Sequence, residues 1–396
     1  MTSKALTAVA AAVVVTAIPG TAAAAPAGRT WWSSVHPAAR PAGGLHAVAA
    51  RSATEAWAVG WQTTGAEDAA LVHHWTGTQW KSVPPPPSDA VSVRLTGVDV
   101  LPSGDAIAVG STTAGGRTEP LIHGYPADGR AAGEIPGPVP AEGGSWRGVD
   151  LVSATDGWAV GFRGSAVDGK PAGTLIARWD GSSWQRVPSP DPGTLSNRLS
   201  AVTAVAADDV WAVGQTRDAD DAKVERSLVL HWDGVSWSRV ASPDPGAVRT
   251  TLLAVSAAGP GQVWAVGYTQ DVLTDEPDPD ELHRAVALSY AGGVWKVLRS
   301  AQPAVTEYTG VAAVAPSDIV LAAYRLAGNT ETTTIEEWHG GAMTPDQIDP
   351  GIGNGEHLGS ALTGLAAEPG GGRLWAVGWR ADLTGAHQPH SLRSTR

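Results

Sequence analysis

Five aromatic side chains recur at one position of this 396-residue chain. Trp61, Phe162, Tyr268, Tyr324 and Trp379 each follow the last residue of an apolar-Trp-Ala-Val-Gly motif or of a weaker copy. Flat π-faces presented at one level of a fold are stacking platforms for sugars or for a peptide. Packing is their other use, because strand alternation puts Trp61 on the same side as Trp57 and Val59. The second candidate chemistry is carboxylate. Asp271, Asp275, Glu276, Asp278, Asp280 and Glu281 crowd one segment, and Asp218, Asp220 and Asp221 another. Such density could hold Ca2+, which takes several oxygen ligands. Neither segment has calcium-loop spacing, and Pro277 and Pro279 stiffen the first. A solvated acidic loop is the simpler account, so the expectation is no cofactor, with Ca2+ a weak alternative.

Other chemistries find less support. His74, His231 and His339 adjoin equivalent positions, but Arg178, Ser289 and Glu337 stand at similar places elsewhere, so these histidines do not define a metal set. No nucleophile elbow, phosphate loop or His-Glu zinc motif is present. Asp180 and Gly181 are adjacent, unlike the spaced pair of a sialidase-type Asp box. With no cysteine there is no thiol nucleophile, disulfide or Cys-ligated zinc. Paired carboxylates for glycoside chemistry would have to meet across the fold. Glu307, Tyr308, Asp218 and Arg325 are the first suspects for such a site.

Composition narrows the partners. A net charge of −12 without a basic run argues against nucleic acid and against anionic membrane surfaces. Lys4, the apolar run 5–18 and Ala22-Ala23-Ala24 read as a signal peptide over residues 1–24. That run is shorter than the roughly 20 residues of a membrane span, so the expected protein is secreted, soluble, not inserted in a membrane, and a monomer.

The elements that must position these residues follow from a repeat. The motif tryptophan stands at Trp57, Trp158, Trp211, Trp264 and Trp375, with Ile107 and Val320 in its place in two copies. Successive positions are 50, 51, 53, 53, 56 and 55 residues apart. That period is about one propeller blade. Each period reads as four short strands. In one copy these are a small apolar strand 199–205, the Trp-Ala-Val-Gly strand ending at Gly214, a strand 228–232, and a last strand around Trp237 after the Asp233-Gly234 turn. Asp-Gly between apolar runs is a strong hairpin signal, because both residues tolerate positive φ.

The sequence therefore predicts an all-β, seven-bladed β-propeller of four-stranded blades, one domain over 25–396. The blades fall near 45–94, 95–145, 146–198, 199–251, 252–307, 308–361 and 362–396 plus 30–37. The last unit runs out of chain before its fourth strand, and Trp31-Trp32-Ser33-Ser34-Val35-His36-Pro37 resembles Trp184-Gln185-Arg186-Val187-Pro188. An N-terminal strand is thus expected to complete the last blade and remove an open sheet edge. Small first strands fit a crowded axis, and indoles fit the widening gaps between blades.

These residues resemble the kelch-type propeller repeat, and more closely a Trp-Ala-Val-Gly / His-Trp-Asp-Gly repeat of uncharacterised secreted bacterial proteins. Kelch repeats usually have a Gly-Gly doublet where Val213-Gly214 stands here. A galactose oxidase-like copper site is excluded, since its cofactor needs a cysteine. The resemblance implies the fold and little about activity. Long segments at 215–226, 269–284 and 325–334, with the proline-rich links, are expected to gather on one face. The expected function is non-enzymatic binding or scaffolding of a protein or polysaccharide through that face. The rival is a carbohydrate-active hydrolase or lyase at the channel mouth.

Overall fold

The computed structural model describes residues 32–36, 41–89, 92–128, 132–164, 171–246, 248–271, 283–298, 307–327, 330–340, 342–345, 357–369 and 372–394. The expected signal segment 1–24 and five acidic residues of the 271–281 cluster (Asp275, Glu276, Asp278, Asp280 and Glu281) lie outside them. Every regular element among the described residues is a β-strand.

Three sheets have four strands each. Strand β1 (Trp32–Ser34) precedes them in the chain. The first sheet contains β2 (Gly43–Ser52), β3 (Glu55–Thr64), β4 (Glu67–Trp75) and β5 (Trp80–Ser82). Next come β6 (Ser92–Val100), β7 (Ala106–Ala114), β8 (Arg117–Tyr125) and β9 (Gly133–Glu134), then β10 (Gly144–Ser153), β11 (Asp156–Arg163), β12 (Gly173–Trp179) and β13 (Trp184–Arg186). A fourth sheet has eight strands: β14 (Ser196–Ala206), β15 (Asp209–Arg217), β16 (Glu225–Trp232), β17 (Trp237–Arg239), β18 (Arg249–Gly259), β19 (Gln262–Gln270), β20 (His283–Ala291) and β21 (Val294–Leu298). The fifth, also of eight, joins β22 (Glu307–Ala315), β23 (Asp318–Ala327), β24 (Thr330–His339), β25 (Ala342–Pro345), β26 (His357–Ala367), β27 (Leu374–Asp382) and β28 (His387–Ser394) to β1.

The sheets therefore number five, not the expected seven. Each eight-stranded sheet is two antiparallel runs stitched by one parallel residue pair, Glu225↔Arg249 in the fourth and Glu331↔Gly359 in the fifth. Elsewhere the third strand of one run and the first of the next diverge too soon to pair in this way. The isolated contact Ala172↔Ser196 is the nearest approach to it. The arrangement is a β-propeller.

Local chemistry explains the strands. Residues alternate between the two faces, and both faces are covered, so the central strands read as apolar runs such as Val210 to Val213. The tight turns use glycine: Gly234 has φ +92, and a Cβ there would sit 2.9 Å from the Asp208 Cβ. A separate apolar cluster fills the gap between each antiparallel run and the next. One packs Trp158, Ile176, Leu199, Val202, Leu228 and Trp232 together. Inner strands lie so close that a Cβ on Gly148 would be 3.2 Å from the Ala201 Cα, which is why glycine stands at that point of β10.

The N-terminal strand pairs antiparallel with β28 through Trp32↔Ser394, Ser33↔Arg393 and Ser34↔Leu392, so both chain ends share one sheet. Trp32 is 3% exposed and packs on Val320, Leu362 and Leu392.

One expected loop is not a loop. Strands β23 and β24 stay paired out to Ala327↔Thr330, so most of 325–334 is ladder. The β-branched Thr332, Thr333 and Thr334 favour extension there. Likewise β15 and β16 shorten the loop expected at 215–226 to residues 218–224.

Candidate functional site

A cavity opens at the centre of the propeller. Its bore, of about 200 Å³, is lined by the innermost strands β2, β6, β10, β14, β18, β22 and β26. Towards the end where second-to-third-strand loops emerge it widens to about 370 Å³. Its lining there is His46, Thr96, Arg147, Ser200, Leu253, Thr309 and Thr363, with Phe162, Arg198, Leu199 and Gln215.

The first seven of these residues share one structural cause. Each innermost strand has a register shift against its neighbour, and the skipped residue is the one that faces the bore: Ser200 lies between the pairs Leu199↔Gly214 and Ala201↔Val213. The same holds for His46, Thr96, Arg147, Leu253, Thr309 and Thr363. A β-bulge re-aims a side chain in this way. It also presses the facing carbonyl inward, so a Cβ on Gly214 would meet the Arg198 carbonyl oxygen at 2.0 Å. The motif glycine is thus the counterpart of the bulge.

Three bulge residues are used by the ring itself. The hydroxyl of Thr96 donates to the Trp146 carbonyl at 2.9 Å, that of Thr309 to Leu362 at 2.5 Å, and that of Thr363 to Leu45 at 2.7 Å. Each clips one innermost strand to the next. A second belt lies deeper. The Asp99 carboxylate accepts from the Leu151 amide at 2.7 Å, Asp150 from Ala204 at 2.9 Å, and the Ser256 hydroxyl from Ala313 at 3.1 Å. Burial, then the Asp150 charge, pushes Asp99 up to about 8, and burial pushes Asp150 up to about 6.

Arg147 and Arg198 both approach the Phe162 ring, with guanidinium carbons 5.3 and 4.4 Å from its centroid. Arg147 is exposed to the bore yet enclosed by surrounding strands, and this enclosure, followed by the Arg198 charge, lowers its pKa. Burial and then Arg217 lower that of Arg198. Burial, Arg147 and Arg94 bring His46 down to about 4. The mouth is therefore a positive concavity in a chain of net charge −12.

The sequence-predicted residues scatter around this mouth. Phe162 lines it. Trp61 is half-buried under Arg94, 4.9 Å from its ring, and near His387, which stacks on Trp379 at 4.0 Å. Tyr268 stacks on His283 at 4.1 Å. Tyr324 and Arg325 pair with Thr333 and Thr332 in the β23·β24 ladder, both half-buried. Asp218 is exposed and accepts from the Thr194 amide at 3.0 Å, while Asp220 is exposed on the same loop. Of the enzyme suspects, Glu307 pairs with His283 at 2.8 Å and Tyr308 donates to buried Glu336. Among the described residues no group of three or more His, Asp or Glu converges as a metal site.

The outer histidines have a repeated role. His74 bonds Glu55 at 2.6 Å and stacks on Trp57, His231 bonds Asp209 at 2.9 Å over Trp211, and Arg178 bonds Asp156 at 2.8 Å over Trp158. These are acid–base pairs capping the motif indoles.

Arg147, Arg198 and His46 were not singled out by sequence reasoning. Their signal is positional: Arg147 and His46 fall on the bulge, and Arg198 two residues before one. A bulge shows no composition of its own, so nothing marked them.

No protein-family model matches the chain, and no curated protein matches it, so the kelch resemblance has no family-level support. Solved structures do match. "YCF48 bound to D1 peptide" superposes with a TM-score of 0.57 at 12% identity, over 93% of this chain and 99% of that one. An ulvan lyase of polysaccharide lyase family PL25, bound to -[GlcA(1-4)Rha3S]-, gives 0.55 at 9% identity, over 90% and 92%. The GH74 xyloglucanase from Xanthomonas campestris gives 0.54 at 16% identity, over 89% of this chain and 53% of that one. At these identities the likeness is one of propeller fold.

Proposed function

We propose that this chain is an exported, monomeric, seven-bladed propeller that binds a protein or polysaccharide partner without chemistry, at the channel mouth on its longer-loop face. The blade count rests on the seven innermost strands lining the bore and on the seven apolar clusters between successive antiparallel runs. On this view each eight-stranded sheet is two blades, and β1 closes the ring. The observation that supports binding most is the mouth itself, where Phe162, Gln215, Arg147, Arg198 and Ser200 surround a cavity of about 370 Å³ with no Asp or Glu among its described lining. Pockets of this size suit ligands. Propellers of the same fold include one bound to a peptide and one bound to an acidic sugar.

A pull-down and a glycan array with residues 25–396 test this. The expected result is a retained partner whose affinity falls at least tenfold in Phe162→Ala, and silence on both removes the reading. The rival, a carbohydrate-active hydrolase or lyase, draws on the cluster of Tyr268 on β19, His283 on β20 and Glu307 on β22. Turnover of a polysaccharide that is lost in His283→Ala would favour it.

A further inference from the structure

Resting on the reading of the mouth as a binding site, we propose that it takes an acidic sugar, whose carboxylate or sulfate bridges Arg147 and Arg198. Several arginines of this protein are held by carboxylates. Arg94 meets Asp68, Arg163 meets Glu142 and Asp191, Arg178 meets Asp156, Arg217 and Arg249 share Glu225, and Arg393 meets Glu368. Arg147 and Arg198 have no carboxylate within ion-pair reach among the described residues, although both approach the same ring. Two like charges left facing one bore repel each other, and an anion placed between them removes that repulsion. Guanidinium is also the side chain whose planar donor fork fits carboxylate and sulfate oxygens.

The bulge position strengthens the assignment. Thr96, Thr309 and Thr363 use it to clip neighbouring strands, whereas Arg147 gives up that clip and turns a charge into the bore. The remaining lining favours a sugar over a peptide. Ser200 and Gln215 offer hydroxyl and amide partners, Phe162 offers an aromatic face for a sugar ring, and the aliphatic side chains at the mouth are Leu199 and Leu253.

The experiment titrates residues 25–396 calorimetrically with hexagalacturonate, its fully methyl-esterified form, a heparin hexasaccharide and hexaglutamate. The expected result is binding of the uronate or the heparin oligosaccharide, or both, which separates carboxylate from sulfate. The neutral ester should bind at least tenfold more weakly. Arg147→Gln and Arg198→Gln should each weaken binding at least tenfold, with the melting temperature unchanged or raised because repulsion is relieved. Equal affinity for ester and acid, indifference to both substitutions, preference for hexaglutamate, or no acidic glycan bound would each overturn the proposal. Binding of a neutral glycan or peptide that Phe162→Ala abolishes would leave the mouth as the binding site and remove only its charge preference.

Discussion

At the residue scale the ring is held by single hydroxyls at a repeated position, and their worth can be measured. Thr363 clips β26 to the Leu45 carbonyl across the junction where the chain ends meet. Thr363→Val keeps the shape and removes the donor. One intramolecular hydrogen bond contributes about 1 kcal/mol, and a buried carbonyl left without a partner costs about 1–3 kcal/mol. Urea unfolding of Thr363→Val should therefore show a loss of about 1–2 kcal/mol. Ser200 occupies the same bulge position without a hydrogen-bond partner among the described residues. Ser200→Ala should stay within about 0.5 kcal/mol of the parent, as surface substitutions usually do. Equal losses at both sites would refute the clip as a source of stability.

At the element scale the termini are joined through Trp32, 3% exposed on a strand of only three residues. Truncating a buried tryptophan to alanine costs about 3–5 kcal/mol, and Trp32→Ala should lose that much in denaturant. Deleting residues 30–37 should go further and leave β28 as an open, aggregation-prone edge, seen as a poorly soluble product in size-exclusion chromatography. The N-terminal strand was legible because Trp31-Trp32-Ser33-Ser34-Val35 repeats the pattern of a fourth strand found elsewhere. Strand order was legible for a related reason: Asp-Gly turns and the Trp-Ala-Val-Gly strand recur with nearly constant spacing. The hairpin at 325–334 was not, because threonines serve loops and edge ladders alike. Nor was the stitching of runs into eight-stranded sheets, which depends on one residue pair at the point where strands splay. The mouth was half legible. Phe162 stood out as an aromatic, but the bulge that brings Arg147 and His46 into the bore is a matter of register, which composition does not record.

At the scale of the whole molecule, buried titratable groups set an optimum in pH. Burial lowers His73 and His123 to about 4, and burial with nearby arginines does the same to His46, against an ordinary value of 6.5. Between about 4 and 6.5 the unfolded chain binds protons at these three sites that the folded chain does not, so stability falls as pH drops through that range. Asp99 and Asp150 act in the opposite sense. Their raised values mean that the folded chain holds protons the unfolded chain has released, so they weaken folding as pH rises from the ordinary 3.8. Three histidines against two aspartates leave a net acid weakening below 6.5. Above 6.5 the histidine contribution is complete, and continued ionisation of Asp99 leaves a decline. His339, raised by its bonds to Glu337 and Asp318 in spite of burial, adds to that decline, because the stability it lends is lost as pH rises through its folded value. The depressed carboxylates Glu142, Asp180, Asp233 and Asp382 titrate below this window. Urea midpoints measured from pH 5 to pH 8.5 should therefore peak near pH 6.5. Asp99→Asn should flatten the alkaline limb and His73→Leu the acid limb, each leaving the other limb in place. A midpoint that climbs without a break to pH 8 would show that the inner belt of carboxylates is ionised at no cost to the fold.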